Sequence, residues 1–205
     1  MKIAAAVLAG GQSRRMGRDK ADLPSLEDAG TTMLQQTVKL AAAVFDPVYV
    51  VGRPHPEDWS SLQTNTMFLP DGAPNLGPAG GLSTILRYLV SGAGAERAAV
   101  AALACDLPLL TTASLAWLHA AASRGMAHHG LVVRNGEQTE PLFAVYTREC
   151  LPLLEDLLAQ GKRSLQKLID AGEFSVADAP PEVARTLVNV NTAEELAQIQ
   201  LFKNP

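Results

Sequence analysis

Leu8-Ala9-Gly10-Gly11-Gln12-Ser13-Arg14-Arg15-Met16-Gly17-Arg18-Asp19-Lys20 gathers three glycines and four basic side chains into thirteen residues. Glycine lets a backbone approach a ligand closely. Backbone N–H groups in such a turn form a concave anion site. Arginine adds a bidentate clamp for phosphate and lysine a compact charge. These are the parts needed to hold a polyphosphate, with Arg15 and Lys20 as the leading cations and Asp19 placed to orient the lysine. A P-loop needs Gly, four residues, then Gly-Lys-Ser/Thr, whereas Gly17 is followed here by Arg18-Asp19-Lys20. The dinucleotide fingerprint G-x-G-x-x-G also fails, because Gly10 and Gly11 are adjacent and the next glycine is Gly17. The bland alternative is a glycine-rich surface turn with solvated arginines.

A second candidate is Asp106, in Ala104-Cys105-Asp106-Leu107-Pro108 at the end of an apolar run. A carboxylate beside a buried strand is costly unless it binds a cation or makes hydrogen bonds. Mg²⁺ takes one or two carboxylates plus phosphate oxygens and waters, so a magnesium ligand is the sharp reading and a cap on the turn before Pro108 the plain one. Asp71, in Pro70-Asp71-Gly72, reads by itself as a turn residue. The glycines of Gly77-Pro78-Ala79-Gly80-Gly81 would let a helix start approach an anion, or simply join a loop to a helix. Asn189 and Asn191 share a face if their segment is extended, although Asn191 or Thr192 could equally cap the next helix.

These residues need elements to hold them. Apolar runs predict strands over 3–9, 48–51, a weaker one over 64–69, then 98–104, 130–134, 142–146 and 187–190. Helical periodicity predicts helices over 32–45, 80–91, 112–123, 148–159 and 163–171, and a last helix opening at Thr192 with Glu195 completing a capping box. The alternation implies one three-layer α/β/α domain with a mostly parallel, Rossmann-like sheet. In such sheets ligands bind beyond the carboxyl ends of the strands. Gly10 to Lys20, Asp71 to Gly81 and Asp106 all follow predicted strands, so they should converge on one crevice.

A chain of 205 residues, 47 % of them apolar, is ample for one core. Its net charge of −4 argues against a general nucleic-acid or membrane surface. No apolar run has the length of a membrane span or the form of a signal peptide, so a cytoplasmic location is expected. Cys105 and Cys150 lack metal-type spacing, and Cys105 is expected to be buried in its strand. His128 and His129 are expected in a solvated loop.

The N-terminal string resembles the LAGG-x-S-x-RMG-x-DK signature of molybdenum cofactor guanylyltransferases, and Asn189-Val190-Asn191-Thr192-Ala193-Glu194-Glu195-Leu196 resembles that family's N-V-N-T-x-E-E-L segment. The resemblance spans the chain in the family's order. It implies transfer of GMP from GTP to molybdopterin, with pyrophosphate released, on a nucleotidyltransferase fold using Mg²⁺. It implies that Leu8, Ala9, Gly10, Gly11, Lys20, Asp71, Gly77, Gly80 and Asp106 hold the nucleotide. Arg15, Lys20 and Asp106 would then be catalytic, and Asp106 the metal ligand. Arg14 and Arg18 match no fixed letter of the signature and would face solvent. On the acceptor side it implies Glu140, Lys162, Arg163, Asn189 and Asn191, with a solvated helix start as the competing reading of Lys162 and Arg163. Residues 1–110 would form the nucleotide half and 111–205 the acceptor half. Gly10-Gly11 suggests guanine, since cytidylyl relatives usually carry Ala-Ala-Gly. The chain departs from the family after the second strand, where some members place a nucleotide-contacting asparagine and this sequence has Val51-Gly52-Arg53. Molybdoenzymes or other cofactor-biosynthesis proteins are open as partners. The rival readings are a cytidylyl or other NTP transferase with a different phosphorylated acceptor, and a non-catalytic nucleotide-binding module.

Overall fold

The computed structural model describes residues 2–10, 20–27, 30–55, 59, 65–72, 75–91, 98–190, 195–196 and 198–199. In chain order the elements are β1 (Ile3–Leu8), a 3-10 turn (Lys20–Asp22), α1 (Met33–Ala42), β2 (Val48–Val51), β3 (Thr66–Leu69), α2 (Gly77–Val90), β4 (Ala99–Ala104), α3 (Thr112–Arg124), β5 (Gly130–Asn135), β6 (Gln138–Thr147), α4 (Cys150–Ala159), α5 (Leu165–Ala171), β7 (Phe174–Asp178) and α6 (Pro181–Ala184). The described strands form one sheet in the order β3-β2-β1-β4-β6-β5-β7. β1 pairs parallel with β2 and β4, β2 with β3 and β5 with β7, while β6 runs antiparallel to β4 and β5.

Period-two alternation sorts the central strands between two cores. Ala5, Val7, Val50, Ala101 and Leu103 pack with Leu34 and Val38 of α1 and Leu115 and Leu118 of α3. Ala4, Ala6, Tyr49, Val100 and Ala102 pack on the opposite face with Leu82, Ile85 and Leu86 of α2 and Leu154 of α4. The layers are therefore α/β/α, as the sequence predicts. Alanine is a poor strand former by propensity, yet Ala4, Ala5 and Ala6 pair with Val100, Ala101 and Ala102 and are fully buried. Burial on both faces decides the matter, as in other parallel sheets. Thr32 caps α1 in a reciprocal capping box with Gln35, and Thr111 caps α3 with Ser114.

The predicted strand over 187–190 does not form, and β7 and α6 take its place before that segment. Leu187 and Val190 are buried, which accounts for the strand-like pattern, but the Val190 N–H donates to the Asp106 carbonyl at 3.0 Å instead of to a strand. The helix predicted over 80–91 begins earlier, at Gly77, with a proline in its first turn; proline suits that position because its missing N–H has no partner to lose. Cys105 lies just past β4 and is only partly buried. Both cysteines are free thiols, and burial pushes the Cys150 thiol up to about 12. Gly11, Arg15, Asn191 and the Thr192 cap lie outside the described residues.

His129 is more than a solvated loop residue. Its Nδ1 accepts the Glu173 backbone N–H at 2.8 Å, pinning the start of β7 beside β5. Burial, and then the neighbouring His128, hold its pKa below the usual histidine value, against the raising effect of Glu173 and Glu149. A lowered folded-state value means the fold favours neutral imidazole. The resulting stability is present above about pH 6.5 and is lost as pH falls through that value toward the folded one. The midpoint of thermal unfolding should therefore drop between pH 7.5 and pH 5, and His129→Gln should flatten part of that slope. Equal slopes for the two proteins would exclude this role.

Candidate active site

The strand register builds the site. Leu8 pairs with Val51 on one side and Ala104 on the other, and Val51 pairs with Leu69. Four parallel strands thus end in one row. Two residues beyond that row stand Gly10, Arg53, Asp71 and Asp106. Adjacent strands lie about 4.8 Å apart, so the β1 exit and Asp106 are neighbours along the sheet edge. β6 enters from the other side. Leu103 pairs with Phe143, so the antiparallel register carries Glu140 to the level of Asp106. The convergence predicted from strand-end loops is therefore realised for Gly10, Asp71 and Asp106.

The β1 exit is tightly packed. Ala9 N–H donates to Val51 O at 3.0 Å and Gly52 N–H to Leu69 O at 2.9 Å. A Cβ on Gly10 would lie 3.1 Å from the Gly52 Cα and 3.8 Å from the Asp71 Oδ2. Gly52 adopts φ +93°, and a Cβ there would lie 2.5 Å from the Gly10 Cα. Two bare backbones therefore cross at the rim, with the Asp71 carboxylate beside them. Arg53 reaches across the same place, Nη1 donating to Asp22 Oδ1 at 2.7 Å and Nε to Ala9 O at 3.4 Å. The sequence marks Val51-Gly52-Arg53 only as a departure from a nucleotide-contacting asparagine and gives neither Gly52 nor Arg53 a role of its own. The signal was the position of Gly52-Arg53 right after β2, level with the β1 exit.

α2 closes the rim from below. The Gly72 N–H donates to Thr84 Oγ1 at 3.2 Å, and Thr84 Oγ1 donates to Gly80 O at 2.9 Å. Gly77 is exposed at the helix start, whereas Gly80 is buried in its first turns. A Cβ on Gly81 would meet Leu8 Cδ2 at 3.4 Å. Gly81 thus faces the Leu8 side chain at the end of β1.

Beside Asp106 a cleft of about 380 Å³ opens, lined among others by Asp106, Glu140, Phe143, Arg163, Gln166 and Asn189. Three of the acceptor-side residues expected from the sequence, Glu140, Arg163 and Asn189, thus share one cavity with Asp106. Asn189 arrives there on an irregular segment docked by the Val190–Asp106 backbone hydrogen bond, not on a strand face. The Arg163 Nη1 donates to Asn75 O at 3.3 Å, which ties the cleft to the segment before α2. Lys162 does not line the cleft; its ammonium donates to Gln160 Oε1 at 2.7 Å on the exposed side. Glu140 is half-buried, and loss of water raises its carboxyl above the usual range, partly countered by a 3.3 Å hydrogen bond from Asn135 Nδ2. The lining mixes charged and polar side chains with apolar ones such as Leu107, Leu142 and Phe143, the make-up of a small-molecule site. Among the described residues, no helix is long and apolar enough to cross a membrane.

A family model described as a MobA-like NTP transferase domain matches residues 5–178. A protein of Nostoc sp. named probable molybdenum cofactor guanylyltransferase is 36% identical, over 97% of this chain and 90% of its own. One of the same name from Synechococcus elongatus is 34% identical over 98% and 100%. The crystal structure of molybdopterin-guanine dinucleotide biosynthesis protein A from Archaeoglobus fulgidus superposes with a TM-score of 0.70 at 21% identity, covering 99% of this chain and 98% of that one. At that identity the likeness is one of fold.

Proposed function

The chain belongs to the MobA-like NTP transferase family, and from that premise we propose that it transfers GMP from GTP to molybdopterin, releasing pyrophosphate. The observation that carries this reading is the shared rim. The β1 exit, Asp71 and Asp106 end in register, and the acceptor-side cleft opens beside Asp106. Donor and acceptor sites thus meet at one carboxylate, with residues 1–110 serving the nucleotide and 111–205 the acceptor.

The acceptor is a phosphate monoester. Its oxygen attacks the α-phosphorus of GTP, a new P–O–P link forms, and the α–β bond breaks with its electron pair leaving on pyrophosphate. Both reactants are anions, so positioning and charge stabilisation carry the catalysis. The attacking phosphate is already ionised near neutral pH and needs no general base. Gly10 brings bare backbone to the phosphates, while Arg15 and Lys20 neutralise the leaving pyrophosphate. Leu8, Ala9, Gly11, Asp71, Gly77 and Gly80 complete the nucleotide side. Arg163 is suited to clamp the acceptor phosphate, with Glu140, Asn189 and Asn191 toward the pterin. Asp106 offers hard carboxylate oxygens where the two substrates meet, the donor type that Mg²⁺ prefers. When bound, that ion would offset charge on the phosphate oxygens and help hold the in-line arrangement.

The test is nucleotide choice. With molybdopterin and magnesium, label from α-labelled GTP should enter the dinucleotide at least about tenfold faster than label from CTP, and omission of molybdopterin should abolish transfer. Equal use of CTP would turn the reading to a cytidylyltransferase. Binding of GTP with no transfer under any condition would turn it to a nucleotide-binding module.

A further inference from the structure

We propose that Arg53 is a positioning residue of the triphosphate site, holding the turn that carries Lys20 against the rim of the sheet so that triphosphate affinity depends on the Arg53–Asp22 pair. The inference rests on the phosphate-binding assignment of residues 10–20 made above and adds to it a residue from the loop after β2.

One planar cation joins three stretches of chain. Arg53 stands two residues past β2. Its Nη1 and Nη2 donate to the two oxygens of Asp22 at 2.7 and 3.4 Å, and its Nε donates to the Ala9 carbonyl at 3.4 Å. Ala9 directly precedes Gly10, and Asp22 closes the 3-10 turn that Lys20 opens. The middle residue of that turn, Ala21, is fully buried, so the turn has an apolar anchor on one side and the arginine on the other. The fork geometry is one lysine cannot reproduce. The Arg53 side chain is 19% exposed against 59% for Asp22, so the arginine is the fixed half of the pair.

The consequence is preorganisation. With the pair in place, the backbone of the Lys20 turn is already set against the β1 exit when ligand arrives. Without it, binding has to order that turn, and affinity falls by the cost of doing so. The Arg53–Asp22 pair acts through geometry, by holding the turn, and the loop cations supply the phosphate field. An arginine that touched base or ribose directly would behave differently: loss of its carboxylate partner would leave binding unchanged or strengthen it.

Calorimetry in magnesium buffer separates these cases, using wild type, Arg53→Ala, Asp22→Asn and the double variant against GTP, inorganic triphosphate and GMP. Each single variant should weaken GTP and inorganic triphosphate by about three- to tenfold, the scale of a partly exposed ion pair with one added hydrogen bond. The double variant should be no more than about twofold weaker than Arg53→Ala, and GMP affinity should change by less than about twofold. Wild-type GTP affinity in Asp22→Asn, or a GMP loss equal to the GTP loss, would overturn the proposal. Asp22 is exposed, so its variant keeps the test open if Arg53→Ala unfolds. Failure of the underlying assignment gives a separate result: wild type itself would bind neither GTP nor inorganic triphosphate.

Discussion

Asp106→Asn is expected to lower turnover by roughly a hundredfold or more, the scale seen when one major electrostatic contributor is removed from a transition state. The substitution keeps the side chain's shape and removes its charge. It leaves the backbone link from Asp106 to the docked C-terminal segment in place, because the Asp106 carbonyl accepts the Val190 N–H at 3.0 Å. The variant should therefore unfold at close to the wild-type temperature and still accept GTP and acceptor in their own pockets. What it loses is the negative group at the point where the nucleotide rim meets the acceptor cleft. Acceptor-dependent pyrophosphate release under saturating magnesium is the measurement. A rate within a few-fold of wild type would remove Asp106 from the chemistry and leave it a structural residue of the β4 exit. A large drop in thermal midpoint would instead show that the side chain holds the β4 exit together, and the rate loss would then follow from misfolding.

The parts of this site legible in the sequence are those that follow from local pattern. Ala98 to Ala104 reads as a buried central strand because both of its faces are apolar, β4 forms over Ala99–Ala104, and that places Asp106 at a strand end. The same logic places Gly10 after β1. Phe174–Asp178 escaped detection because it is an edge strand whose residues are half-buried or exposed, so no face carries a clean apolar signal. The segment over 187–190 misled for the opposite reason. Leu187 and Val190 are buried by packing and by the bond to Asp106, and burial by itself looks like strand periodicity. Gly52 and Arg53 were illegible as site residues because their roles exist only across strands. The Arg53–Ala9 contact joins residues 44 apart in sequence, and only the β1–β2 register brings them level. In Val51-Gly52-Arg53 the arginine turns toward Asp22 and Ala9. Nothing in local spacing announces that use of the position.

Gly52→Ala is expected to be the most disruptive single-methyl change at the rim. The residue holds φ +93°, where an added Cβ is strained, and that Cβ would lie 2.5 Å from the Gly10 Cα and 2.7 Å from the Gly10 nitrogen. Both neighbours are backbone atoms, so no rotamer change can relieve the clash. The left-handed backbone costs about 1–2 kcal/mol and overpacking typically another 1–3 kcal/mol, against a total stability of roughly 5–15 kcal/mol for a domain. A loss of about 2–5 kcal/mol in urea unfolding should result. Relief can come only by moving the β1 exit away from β2, which displaces Ala9 and Gly10 and the carbonyl that Arg53 holds. GTP affinity should therefore fall by tenfold or more under conditions where the variant is still folded. Gly136→Ala is the matched control: φ is +64° there, but a Cβ would meet nothing within 4 Å. It should carry only the backbone cost and leave GTP binding intact. If the two alanine variants lose equal stability and bind GTP alike, the close crossing of Gly10 and Gly52 does not shape the nucleotide site. If only Gly52→Ala loses nucleotide, the rim is set by contact between two bare backbones, and a side chain at Gly52 is excluded by geometry before any question of chemistry arises.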